Sequence, residues 1–206
     1  MSTKSHQRYW KTRIEDWKTA YFDTKNHPHR DFIINHLRRL AFGSLLEVGC
    51  NTGPNLYRIA QAFPIVQTGG MDINAGSIEM ARNLLPTQVF TLDVAPADDI
   101  PYSDKSTDIV LTDACLMYIG PDKINKVMEE ITRVARNYVV FFEPHCESSW
   151  QRFLMRHHKK NYYAHDYRKL LEKHGFWDIE IYKMPPELWK GEILWERWGY
   201  LIIGRL

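Results

Sequence analysis

Leu45-Leu46-Glu47-Val48-Gly49-Cys50-Asn51-Thr52-Gly53 is the stretch on which the reading of this chain turns. It reads as a short buried strand that ends in an acidic residue and breaks into a turn of small residues. Pro54 suits the first position of a helix, and the residues after it are apolar at helical spacing. Strand, tight turn and helix open a βαβ unit, in which a ligand sits against the carboxyl end of the strand. The glycines let a ligand pack against bare backbone. Asn51 stands where a third glycine would fit and is one of the few other residues that tolerate a positive φ.

The turn narrows the ligand. The Gly-Lys-Ser/Thr pattern that cradles phosphates is absent. The dinucleotide fingerprint asks for glycines at 49, 51 and 54, and the chain has Gly49, Asn51 and Pro54, which disfavours a nicotinamide or flavin dinucleotide. Asp72, in Gly69-Gly70-Met71-Asp72-Ile73-Asn74, lies 23 residues after Gly49, about where a second strand ends. A carboxylate there can accept both ribose hydroxyls of a nucleoside. Asp93, in Phe90-Thr91-Leu92-Asp93-Val94, sits at a third strand end, within reach of an adenine's exocyclic amine.

On these residues the sequence resembles the class I S-adenosylmethionine-dependent methyltransferases. Glu47 to Gly53 resembles their first motif, Asp72 their ribose acid and Asp93-Val94 their adenine contact, and the resemblance runs from about Arg30 to Leu206. It implies an α/β fold: a Rossmann-like, seven-stranded, mostly parallel sheet in the order 3-2-1-4-5-7-6, with the last strand antiparallel and helices on both faces. It implies S-adenosyl-L-methionine as cofactor, held by Glu47, Gly49, Cys50, Asn51, Gly53, Asp72, Ile73, Asp93, Val94 and Asp113. Alternating strand and helix patterns predict a parallel α/β sheet on their own, whereas the strand order comes from the resemblance alone.

The bulk properties agree with one domain over residues 1–206. A chain of 206 residues can bury a real core, and 44% hydrophobic with 25% charged residues is ordinary for a globular protein. A net charge of +2 does not announce a nucleic-acid binder. Cys50, Cys115 and Cys146 are odd in number and widely spaced, which gives neither a disulfide framework nor a metal site and fits a reducing cytoplasm. No apolar run is long enough to span a membrane, and no signal pattern is visible.

Along the chain, Tyr9, Trp10, Ile14, Trp17, Ala20 and Tyr21 fall at helical spacing and predict an N-terminal helical cap over 1–29, packed on the domain or lying over the cofactor. His27 and His29 read as loop histidines, since no cysteine or carboxylate cluster joins them. Arg30 is either a contact to the cofactor's carboxylate or a solvated helix start. Helical patterns follow Pro54, Asn74, Pro121 and Asp166, the last of these a helix cap. Strands are expected at 107–112, 138–142, 176–182 and 198–203, with an inserted helical segment at 147–163. Residues 152–160 are rich in Arg, His and Lys, which suits a solvated face or an acidic substrate.

The resemblance implies in-line methyl transfer to a nucleophilic O, N or S atom of a small molecule. Holding donor and acceptor collinear supplies about 7–11 kcal/mol of the barrier, so no fixed triad is needed. A hydroxyl acceptor gains roughly 10²–10⁴-fold from a general base. Asp113, after the fourth strand, and His145, after the fifth, are the candidate catalytic residues, and Asp113 is equally a contact to the cofactor's amino group. Tyr118, Trp150, Tyr162, Tyr163 and Trp189 are candidates for an aromatic acceptor pocket. The alternatives are a protein or nucleic-acid acceptor, a cofactor-binding protein without turnover, and aminopropyl transfer. Thr112-Asp113-Ala114-Cys115 lacks the Asn-Pro-Pro-Tyr-like motif of base amino methyltransferases, which disfavours nucleic acid.

Overall fold

A computed structural model describes residues 3–87, 89–158 and 162–206. Seven strands form one sheet: β1 (Ser44–Val48), β2 (Gln67–Asp72), β3 (Val89–Val94), β4 (Thr107–Asp113), β5 (Ala135–Pro144), β6 (Trp177–Lys183) and β7 (Gly199–Arg205). Their order is β3-β2-β1-β4-β5-β7-β6. The pairs from β3 through β5 are parallel, and β7 runs antiparallel between β5 and β6. Strand order and direction are those implied by the resemblance.

The strands form where the sequence is apolar without alternation, as expected of parallel strands covered on both faces. Ile109, Val110 and Leu111 of β4 and Val139 to Phe142 of β5 are fully buried. One face of the sheet carries α3 (His29–Leu37), α4 (Pro54–Ala62) and α5 (Ala75–Leu84), whose Leu37, Leu56, Ile59 and Ile78 share a core with Leu45, Leu111 and Phe142. The other face carries α6 (Ile124–Val134) and α8 (Tyr167–Lys173). In α6 the apolar residues Ile124, Val127, Met128, Ile131 and Val134 recur every three or four positions and are all buried. Each contributes about 2 kcal/mol of gross burial energy.

The N-terminal cap is broken where one helix is expected. Helix α1 (Thr3–Thr12) stops short of Arg13, and α2 (Trp17–Ala20) restarts after Asp16, whose carboxylate accepts the N–H of Thr19 at 3.2 Å. A 3-10 turn follows at Phe22–Asn26. The break turns Ile14 out to solvent, 96% exposed, so it leaves the expected stripe. The cap is fastened by Asn74 Nδ2, which donates to the carbonyls of Trp10 (2.6 Å) and Arg13 (3.0 Å).

The inserted segment forms α7 (Ser149–His158), while the side chains from His157 to Lys160 lie outside the described residues, so the basic 152–160 run stays an expectation. A short α9 (Ile193–Trp198) precedes β7. Among the described residues no helix is long and apolar enough to cross a membrane.

Candidate functional site

The turn after β1 is fixed by the neighbouring strand. The N–H groups of Gly49 and Cys50 both donate to the Met71 carbonyl of β2, at 2.8 and 3.0 Å. Gly49, Asn51 and Gly53 have φ of 79°, 52° and 74°, so Asn51 takes the left-handed conformation expected of it. Asp72 reinforces the turn: one carboxylate oxygen accepts the N–H of Asn51 and the other that of Asn74, both at 2.9 Å. A Cβ at Gly49 would stand 2.4 Å from the Sγ of Cys115. Only glycine lets the loop after β4 close against the turn.

A chain of polar side chains crosses the floor beneath this turn. Asn55, in the first turn of α4, donates through Nδ2 to Glu47 Oε1 at 2.7 Å and to Asp113 Oδ2 at 2.9 Å. His29 Nε2, at the start of α3, lies 2.9 Å from the same Asp113 oxygen. His29 Nδ1 lies 2.6 Å from Nδ1 of His27 and 3.4 Å from Nη1 of Arg30. Burial pushes the Glu47 carboxyl up to about 8, against the pull of its bond to Asn55. Burial also acts to raise Asp113, but the neighbouring His29 and Arg30 and the bonds to His29 and Asn55 outweigh it and hold Asp113 below the usual carboxylate range. Two buried acids 66 positions apart are thus kept in different states by their neighbours. Burial, with His29 and Arg30 beside it, lowers His27 to about 4.

Glu143, near the end of β5, holds the loop that follows β4. Its carboxylate accepts the backbone N–H groups of Cys115 (2.8 Å), Leu116 (2.9 Å) and Met117 (3.1 Å). These are the orphan donors at the start of the 3-10 turn Leu116–Tyr118. Ala114, just before them, is held at φ 54°, a costly conformation for a residue with a Cβ. Burial pushes Glu143 up to about 8, opposed by the amide donors.

These elements enclose a cavity of about 560 Å³. One side is the turn and strand ends: Glu47, Gly49, Cys50, Asn51, Asp72, Ile73 and Asp113 line it. The opposite side is aromatic: Trp10, Tyr21, Tyr118, Tyr162, Trp189 and Trp195. His27 and His29 sit under the Trp189 ring, with centroids 4.5 and 4.6 Å away. Trp189 in turn stacks on Trp195 at 4.8 Å.

Other expected residues lie elsewhere. Gly53 faces Leu85. Val94 is 48% exposed, and Asp93 accepts the Tyr102 hydroxyl at 2.6 Å beside the cavity, whose nearest lining residues there are Ala95 and Ala97. His145 is buried away from the cavity: its Nδ1 accepts the Tyr167 N–H at 3.2 Å and its ring packs on Tyr167 and Tyr200. An isolated bridge to His165 follows β5, and His145 is not among the residues that line the cavity. Trp150, 64% exposed, stacks on Phe153 on the outer side of α7, and the buried Tyr163 packs against His6, so neither lines the pocket as expected. Asp166 caps α8 through the Lys169 N–H at 3.2 Å, as expected.

Sequence reasoning passed over Asn55 and Glu143 and read His27 and His29 as loop residues. A buried polar side chain one position after the helix-starting Pro54, and an acid at the carboxyl end of a buried strand, are the signals that point to the first two. Among the described residues no group of three or more His, Cys, Asp or Glu side chains could hold a metal ion.

Several buried polar atoms around this floor have no hydrogen-bond partner among the described residues: Glu47 Oε2, Asn55 Oδ1, Asp113 Oδ1 and Arg30 Nε. Unpaired buried polar groups are costly. Acceptors and a cationic donor left open together suit a ligand bearing both an ammonium and a carboxylate, which is the chemistry of an amino-acid tail.

Residues 46–142 match the family model of the methyltransferase domain. The chain is 32% identical over 96 residues to ajmaline N-methyltransferase of Rauvolfia serpentina, an overlap covering 45% of this chain and 32% of the relative. Over 117 residues it is 25% identical to trans-aconitate 2-methyltransferase of Afipia carboxidovorans, covering 55% and 44%. The match to the first of these spans about a third of that relative's length. Among solved structures, a SAM-dependent methyltransferase from Archaeoglobus fulgidus superposes with a TM-score of 0.62 at 17% identity, covering 91% of this chain and 99% of that one. Magnesium protoporphyrin IX methyltransferase from Synechocystis with bound SAH does so with a TM-score of 0.63 at 14% identity, covering 98% and 93%. Residues 46–142 thus match a methyltransferase domain, and the whole chain shares the fold of these S-adenosylmethionine-dependent methyltransferases.

Proposed function

We propose, from the premise that this chain carries a class I methyltransferase domain, that it transfers a methyl group from S-adenosylmethionine to a nucleophilic O, N or S atom of a small, flat molecule. The observation that carries this reading is the two-sided cavity, with a glycine turn and acids on one side and six aromatic residues on the other. Its volume is in the range of small-molecule sites, and its rings offer stacking faces for a planar acceptor. The likeness to ajmaline N-methyltransferase over 96 residues agrees with a small acceptor.

In this reading Gly49 and Asn51 admit the cofactor against bare backbone, Asp72 serves its nucleoside, and Glu47, Asp113 and Arg30 its charged tail. The cofactor supplies an electrophilic methyl on a sulfonium. The protein's part is to align acceptor and methyl and to keep water out, which is where most of the rate arises.

The test is transfer of labelled methyl from S-adenosylmethionine to a panel of phenols, cyclic amines and thiols, with RNA and a protein mixture alongside. Label on a small acceptor supports the reading. Label only on RNA or protein contradicts it.

A further inference from the structure

The His27–His29–Asp113 row is more than packing, because its order suits a proton relay. Asp113 Oδ2, His29 Nε2, His29 Nδ1 and His27 Nδ1 follow one another at 2.9 and 2.6 Å. A contact that short between two ring nitrogens requires one of them to carry a proton and the other to accept it. Each nitrogen also has a weak second donor at 3.4 Å: Arg30 Nη1 faces His29 Nδ1, and the His29 backbone N–H faces His27 Nδ1. The shared proton therefore has support at either end. His29 is 2% exposed, whereas His27 is half-buried and lines the cavity beside Trp189. Its Nε2 has no partner among the described residues.

We infer that His27 is the general base of this transfer, with His29 and Asp113 as positioning residues that carry the resulting charge inward. The inference deepens the methyltransferase reading and rests on it. It specifies the acceptor as a nucleophile that must lose a proton, such as a ring hydroxyl or a cyclic amine, rather than one that arrives as an anion. As the acceptor atom bonds to the methyl carbon, the carbon–sulfur bond breaks with its electron pair staying on sulfur. The acceptor's proton passes to Nε2 of His27. The Nδ1 proton of His27 passes to Nδ1 of His29, and the positive charge comes to rest beside the Asp113 carboxylate.

His27 alone would strand that charge next to Arg30 in a half-buried place. Its lowered affinity for protons keeps it neutral at neutral pH. The other charged group lining the cavity near Trp189 is Glu192.

The test needs no acceptor. Protein labelled with ¹⁵N-histidine is saturated with S-adenosylhomocysteine, and the ring nitrogens are read by long-range ¹H–¹⁵N correlation, with His27→Gln and His29→Gln for assignment. The expected spectrum shows His27 neutral at pH 7, protonated at Nδ1 and bare at Nε2, with a strongly deshielded proton that both variants abolish. Asp113→Asn should move the His27 nitrogens although it does not touch that ring. A purely structural Asp113 would leave them in place. His27 protonated at Nε2, or unmoved by Asp113→Asn and His29→Gln alike, overturns the relay. If the wild-type protein fails to bind S-adenosylhomocysteine at all, the methyltransferase reading has failed instead, and the relay falls with it.

Discussion

The two sides of the cavity are built by different means. On the turn side, the geometry is set by backbone: three residues at positive φ, two N–H groups on the Met71 carbonyl, and Asp72 clamping Asn51. On the aromatic side it is set by side chains from the N-terminal cap, the loop after β4, the segment after α7, and the stretch before β7. Backbone geometry is local and leaves marks in sequence, chiefly Gly, Asn and Pro at fixed offsets. A wall assembled from residues about 180 positions apart leaves none, since each ring is an ordinary apolar residue until the fold brings it to the others.

The largest effect should come from breaking the turn side. Gly49→Val adds a Cβ that meets Cys115 and forces a β-branched residue to φ 79°. Its affinity for S-adenosylhomocysteine should fall by about 100-fold or more, measured by calorimetry, while Trp189→Ala leaves it within about tenfold. Equal losses would erase the distinction between the two sides.

Next is Glu143→Ala, which strands three amides of the loop after β4. It should lose about 3 kcal/mol or more in chemical denaturation, with Glu143→Gln recovering part of it.

Glu47 sharpens the comparison through pH. Its folded value, about 8, lies above the ordinary carboxylate value, so its contribution to stability is fully present below that ordinary value and is lost as pH rises through about 8. Glu47→Gln is uncharged throughout. Between about pH 5 and about pH 9 its stability should fall less than that of the wild type, by about 4 kcal/mol. An unchanged difference would mean that Glu47 is ionised in the folded chain.

The smallest effect belongs to Trp150→Ala, a ring 64% exposed outside both sides. Stability should stay within about 0.5 kcal/mol in denaturant titration and cofactor affinity should not move.

The same contrast explains what was legible in the sequence. The strand–turn–helix from Leu45 to Pro54, the positive φ of Asn51, the amphipathic α6 and the Asp166 cap follow from local rules. The strand order came through the resemblance. The break at Arg13 to Asp16 was hidden because the aromatic spacing continued across it while Asp16 offered a better cap than another turn of helix. The position of His145 just after β5 suggested the site edge, yet its ring packs on Tyr167 and Tyr200, outside the cavity lining. Asn55 and the histidine pair were passed over because their roles exist only once α3, α4 and β4 meet at Asp113.

The most direct check of the central claim is a side-by-side calorimetric titration of the folded wild-type chain with S-adenosylhomocysteine and with NAD. One-to-one binding of the first, with a dissociation constant near micromolar, and no heat from the second is the predicted result. Binding of NAD without binding of S-adenosylhomocysteine would contradict it.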